Sequence, residues 1–473
     1  MSTLLVRNAT VLVTMDGARR EIAGGGLFAR DGMIEQVGAS ETLPATADTV
    51  LDLAGHVVLP GLVNCHHHLD QTLTRNLPAA QNVNLFRWLT AHYRLWAART
   101  PEASRTATLV GLAELALSGC TTAFDHAYVF RNGCKVDDQI AAAREIGMRF
   151  MVSRGSMSLG QSKGGLPPDD CVEDEDDILA DSERVIARYH DPAAGSLLQI
   201  ALAPCSPFSV TPDLMRDSAA LARAKGVRLH THLAETIDEE RFTLERFGKR
   251  PVAYMEELGW LGDDVWFAHA VHVNAHEIGC FAGAGVGVCH CPSSNMRLAS
   301  GIAPVRAYAR AGVKVGLGVD GSASNDGNNM LGEARQAMLL ARLQISLRPP
   351  EGPDTTLSTA DPSRDGEWMT AREALELATL GGAAVLGRTD IGALAPGKCA
   401  DFFALRLDDV AFAGGLSDPV AAALFCTPGR AAYTVVHGRP VVAHGEIVTV
   451  DLPAIIAEHN THAARLAALS GVA

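Results

Sequence analysis

His66 and His68 stand two residues apart in Asn64-Cys65-His66-His67-His68, closing an apolar run that passes through Pro60-Gly61. Alternate side chains on a strand share a face, so these two imidazoles point one way and His67 the other. Two imidazoles so placed on an inward face form a natural metal chelate. An HxH pair alone is a weak signal, and its position at a strand end strengthens it.

A second run, His230-Thr231-His232-Leu233-Ala234-Glu235, ends in the same manner. His232 can supply a third nitrogen, and Glu235, just past the strand end, can reach a water at the same place. His230 shares the face one layer deeper and reads as a barrel-filling side chain. Val319-Asp320-Gly321-Ser322 puts a carboxylate at another strand mouth with small residues after it, and His269 in Phe267-Ala268-His269-Ala270 is aimed at the same opening. Three histidines and an aspartate suit Zn²⁺, with Fe²⁺ or Mn²⁺ as alternatives. The run Leu197–Cys205 has no lysine that could bridge two metals once carbamylated, so one divalent metal per chain is expected.

Other metal chemistry reads poorly. Pro204-Cys205 has no second cysteine three positions on, which excludes the HxE/PCxxC type of zinc deaminase. In Cys289-His290-Cys291 the thiols share one face and read as packing, with His290 on the other face lining the pocket.

Positioning such residues needs many parallel strands ending at one mouth. Apolar runs alternate with helical patterns through HVVLPGLVNCH, GCTTAFDHA, MRFMVSRG, LLQIALAPC, GVRLHTHLAE, DVWFAHAVH, GVGVCHC and KVGLGVDGS. Eight such units match a (β/α)₈ barrel of the α/β class. A doubly wound open sheet competes, but no GxGxxG follows the first strand and polar residues gather at strand C-terminal ends. Short alternating strands fill both termini, with Asp31-Gly32 and His437-Gly438 as turns. The expected organisation is residues 1–57 and 398–473 forming one small β-sandwich, the latter with a terminal helix, around a barrel at 58–397. Of two loop-like stretches, 158–177 follows the third strand and is a candidate lid on the catalytic face, whereas 348–368 reads as a surface insertion.

Among 473 residues, 47% are hydrophobic and 20% charged, an ordinary globular composition. The net charge of −14 argues against nucleic-acid or anionic-membrane partners. The N-terminus lacks the form of a secretory signal, no run approaches the ~20 apolar residues of a membrane span, and the ten cysteines form no disulfide-like pattern. A soluble cytoplasmic protein is expected, with homo-oligomer formation left open.

The order PGLVNCHHH, HTHLAE, FAHAVH and GVDGSASN, with ALAPGKCADFFAL near the C-terminus, resembles the amidohydrolase superfamily in its cytosine/guanine-deaminase-like branch. The likeness covers nearly the whole chain. It implies His66, His68, His232 and Asp320 as metal ligands, Asp320 also in catalysis, Glu235 as proton shuttle, and His269 as a polarising residue beside the substrate. HLDQTLTR and GCTTAFDH are similar to the 8-oxoguanine deaminases and the related hydroxytriazine aminohydrolases, which implies a small aminated heterocycle as substrate. Gln71, with amide donor and acceptor, suits a purine or triazine edge, and His126 falls in the second of these motifs. Trp88 either stacks on a flat ring or is a core residue of its helix. Asp70 departs from the resemblance, since related proteins often carry an aromatic there. A cyclic-amide hydrolase and a non-catalytic barrel protein remain as readings of other classes.

Overall fold

The computed structural model describes residues 2–347, 368–426 and 429–470. Apart from Trp368, the stretch 348–368 lies outside the described residues.

Five N-terminal strands come first: β1 (Thr3–Val13), β2 (Glu21–Arg30), β3 (Met33–Ala39), β4 (Thr49–Asp52) and β5 (His56–Pro60). The barrel strands follow: β6 (Leu62–Asn64), β7 (Cys120–Asp125), β8 (Arg149–Ser156), β9 (Leu198–Pro204), β10 (Arg228–Leu233), β11 (Val265–His269), β12 (Gly287–His290) and β13 (Lys314–Leu317). They close in parallel, with β13 pairing back to β6. Strands β7, β8 and β11 are buried along their whole length, as parallel strands covered by helices must be. After the barrel come β14 (Phe402–Arg406), β15 (Tyr433–Val436), β16 (Arg439–Ala443) and β17 (Glu446–Ile447). These join the N-terminal strands in a nine-stranded sheet of order β17-β16-β15-β14-β5-β1-β2-β3, with β4 beside β1, forming the small β domain from both chain ends.

HVVLPGLVNCH is therefore two strands, not the single barrel strand its apolar run suggests. Its first part, β5, pairs with β1 and β14, and only β6 enters the barrel. The switch occurs at Gly61, whose N–H donates to Asp401 O while the next N–H, of Leu62, donates to Gly119 O. A Cβ at position 61 would lie 2.0 Å from Thr121 Oγ1, so only glycine lets the chain cross here. Both turns expected from the sequence are two-residue hairpins with positive φ at each central residue: Asp31 (49°) and Gly32 (80°), then His437 (48°) and Gly438 (75°).

Barrel and sheet are joined by a buried ion pair. Arg149 of β8 donates from Nε and Nη2 to the two Asp401 carboxylate oxygens at 2.9 and 3.1 Å, and from Nη1 to the carbonyls of Gly195 and Ser196. Asp401→Ala leaves the guanidinium buried without its counter-charge, a change worth about 3–5 kcal/mol. The variant is expected to lose its cooperative thermal transition well below the wild type; an unshifted Tm in a melting experiment contradicts this. No described helix is long and apolar enough to cross a membrane.

Candidate active site

The C-terminal ends of the barrel strands bring His66, His68, His232, His269, Glu235 and Asp320 around one cavity. His66 and His68 follow β6, His232 lies in β10 and Glu235 just beyond it, His269 ends β11, and Asp320 follows β13. His66 Nε2 and His68 Nε2 lie 3.3 and 3.4 Å from Asp320 Oδ1, and His68 Nε2 lies 3.0 Å from His232 Nε2.

The hydrogen bonds on the far side of each ring decide which nitrogen faces inward. His68 Nδ1 donates to the carbonyl of His126 at 2.7 Å, and His232 Nδ1 to that of Cys205 at 2.6 Å. His230 Nδ1 donates to Trp266 O at 3.0 Å, which leaves its Nε2 to accept from His66 Nδ1 at 2.9 Å. Each of the three rings so presents a bare Nε2 lone pair to the same point, and that of His66 has no protein hydrogen-bond partner. Burial holds all three below the ordinary histidine range, His68 at about 3, so they are neutral donors. Two lone pairs 3.0 Å apart repel unless a cation lies between them. The donor set of His66, His68, His232 and Asp320 fits a divalent metal; among the described residues His126 also lies within reach of the three histidines, and His269 of His66 and Asp320.

Glu235 flanks this set, and His269 lies between the two, its Nε2 3.9 Å from Asp320 Oδ2. Glu235 Oε2 lies 3.6 Å from His269 Nε2, and His269 Nδ1 donates to Asn295 Oδ1 at 2.9 Å. Burial raises the Glu235 carboxyl above its usual range. The cavity above them has an apolar wall of Leu85, Trp88, Leu89, Phe208 and Leu298, with Gln71, Tyr128 and Ser324 as polar lining. An apolar wall with a few polar groups suits a small flat heterocycle.

A model of the amidohydrolase family matches residues 57–441. The chain belongs to the amidohydrolase family. It is 50% identical over 471 residues to a protein of Pseudomonas aeruginosa named 8-oxoguanine deaminase, covering 99% of this chain and all of that one. It is 38% identical to an isoxanthopterin deaminase of an unknown prokaryotic organism, over 88% of this chain and 87% of that one. The solved structure of atrazine chlorohydrolase from Arthrobacter aurescens complexed with zinc superimposes with a TM-score of 0.89 at 34% identity, covering 97% of this chain and all of that one.

For an amidohydrolase, the remaining residues singled out in the sequence fall into two groups. Gln71, on the 3₁₀ turn Leu69–Thr74, and Trp88, in the helix Leu85–Ala97, both line the cavity. Trp88 is also core, since it is 3% exposed and its Nε1 donates to Ala323 O at 3.1 Å. His126 and His290 are not in the cavity wall. His126 stacks on His232 with ring centroids 4.7 Å apart, donates from Nε2 to Ala203 O and borders a smaller adjoining cavity. His290 is buried at the end of β12, and burial holds it at about 3. Asp70, the departure from the resemblance, faces away from the cavity and pairs with the buried Arg99 at 2.8 Å. The segment 158–177 packs Leu166, Cys171 and Val172 against the cluster containing Trp88 and Phe208, and Leu166 N–H donates to Phe208 O. Sequence reasoning missed the partner role of His230, although its spacing from His232 in HTH was a usable signal. It also missed Asn295, Ser300 and Glu239, which no motif marks.

Proposed function

We propose that this chain is a zinc-dependent aminohydrolase that converts 8-oxoguanine and water to urate and ammonia. The placement of Glu235 and His269 beside the convergent His/Asp set carries the reaction type. Likeness to the Pseudomonas protein over the whole length supports the substrate. A divalent metal held by His66, His68, His232 and Asp320, one per chain, would acidify a water near neutral pH. Glu235 moves a proton to a ring nitrogen of the bound base, which makes the amino-bearing carbon electrophilic. His269, its ring fixed by Asn295, stabilises the charge that develops on the substrate as that carbon becomes tetrahedral. The water oxygen bonds to that carbon, Asp320 takes the second water proton and passes it to the amino group, and the C–N bond breaks to release ammonia. Ten free thiols, most of them buried, support the cytoplasm as its compartment.

Gln71 is the group placed to read the polar edge of the base. Its Oε1 has no protein partner, so a substrate donor can satisfy it. A site built for the N–H and carbonyl of the oxidised base leaves polar groups unpaired with plain guanine, a penalty that reaches roughly 10⁴–10⁵-fold. The test is a side-by-side kcat/KM for 8-oxoguanine, guanine, isoxanthopterin and a hydroxytriazine with ammonia detection. The expected order puts 8-oxoguanine first, and another substrate in that place removes the assignment. Gln71→Ala is expected to lower kcat/KM for 8-oxoguanine by about tenfold or more at unchanged metal content. A cyclic-amide hydrolase releases no ammonia, so the same assay separates that reading.

A further inference from the structure

Glu235 is gripped from two directions by residues outside the ligand set. Its main-chain N–H donates to Glu239 Oε2 at 2.9 Å, and the N–H of Ala234 donates to Glu239 Oε1 at 2.8 Å. Glu239 lies in the first turn of the helix Ile237–Phe247 and is wholly buried. From the other side, Ser300 Oγ donates to Glu235 Oε1 at 3.2 Å. Ser300 is itself fixed, because His272 Nε2 donates to its carbonyl at 2.7 Å and the N–H of His272 donates to Ala234 O. These bonds close a ring running from the turn, through His272 and Ser300, back to the Glu235 carboxylate. At its centre Ala234 has φ of +52°, a conformation that a residue with a side chain keeps only when its surroundings enforce it. A carboxylate that receives two successive N–H groups provides that enforcement.

We propose that Glu239 and Ser300 are positioning residues for proton transfer by Glu235, an inference that rests on the aminohydrolase reading above. Glu239 sets the turn that aims the side chain into the cavity. Ser300 fixes the rotation of the carboxylate, so that Oε1 is occupied and Oε2 faces His269. Neither residue lines the cavity or belongs to the ligand set.

Glu239→Gln offers one acceptor oxygen and sets its amide NH₂ against the other N–H. We expect kcat to fall about 10²-fold, the scale of an ångström-size misplacement, with KM and zinc content unchanged. Ser300→Ala, a small change with little risk to folding, is expected to lower kcat about tenfold in the same pattern. Combined with Glu235→Gln, neither substitution lowers kcat further, because both act through that side chain. A crystal structure of Glu239→Gln is expected to show the Glu235 carboxylate away from Ser300. Wild-type kcat in both variants, zinc loss, a rise in KM at constant kcat, or full effects in the Glu235→Gln background each overturn the proposal. Should Glu239→Gln fail to fold, Ser300→Ala and its double variant decide alone. Should the wild type release no ammonia from any heterocycle, the functional reading falls, and an unmoved Glu235 in the crystal structure is then the result that overturns this inference.

Discussion

Glu235→Gln is expected to lower turnover by about 10²–10⁴-fold while leaving zinc content unchanged. The substitution is nearly isosteric and keeps the surrounding bonds in place. The main-chain N–H still donates to Glu239, and the amide oxygen can still accept from Ser300. What is lost is the ability to take up and release a proton next to the ligand set. The carboxylate lies outside the point where His66, His68, His232 and Asp320 converge. Steady-state kinetics with parallel elemental analysis checks the expectation. Turnover within a few-fold of wild type removes Glu235 from its role, and loss of metal moves it into the ligand set.

Removing the metal with a chelator is expected to abolish activity altogether, and Zn²⁺ is expected to restore it until one equivalent per chain is bound. The three Nε2 atoms are aimed inward by bonds made within the protein, to carbonyls and to His230. Because these bonds do not pass through the ion, recovery should need no refolding step. Titration of chelated protein with Zn²⁺, read by ammonia release, measures the stoichiometry. A break at two equivalents contradicts the single-metal arrangement, and β9, with no lysine among its residues, offers no bridging group for a second.

The residues of this site were legible where a strand's period of two exposes them. His66 and His68 share a face because one residue separates them, and His232 and Asp320 declare themselves by ending apolar runs. The barrel number came from counting such runs. The division of HVVLPGLVNCH into β5 and β6 was not legible, because its two halves are equally apolar and the reason for the break is a close approach to Thr121, far along the chain. His230 illustrates a different gap. Periodicity puts it below His232, but only the positions of Trp266 O and His66 Nδ1 reveal that it sets the tautomer of a ligand. Position alone likewise separates Gln71 and Trp88, which line the cavity, from His290, which does not. Glu239, Ser300 and Asn295 touch the site through one or two hydrogen bonds each, from short helical turns and loops where no periodic pattern marks them.

The pairing of β5 with β14 has a consequence for how the molecule comes into being. During synthesis, β1 to β5 emerge first, yet the partner edge at Phe402–Arg406 leaves the ribosome only after the whole barrel. Until then β5 shows an unsatisfied row of amides and carbonyls beside a hydrophobic face, the kind of edge that recruits strands from other molecules. The nascent chain is thus most exposed to aggregation over a long interval between its two ends. Slowed elongation near the C-terminus should lower the soluble yield more than the same delay near the start.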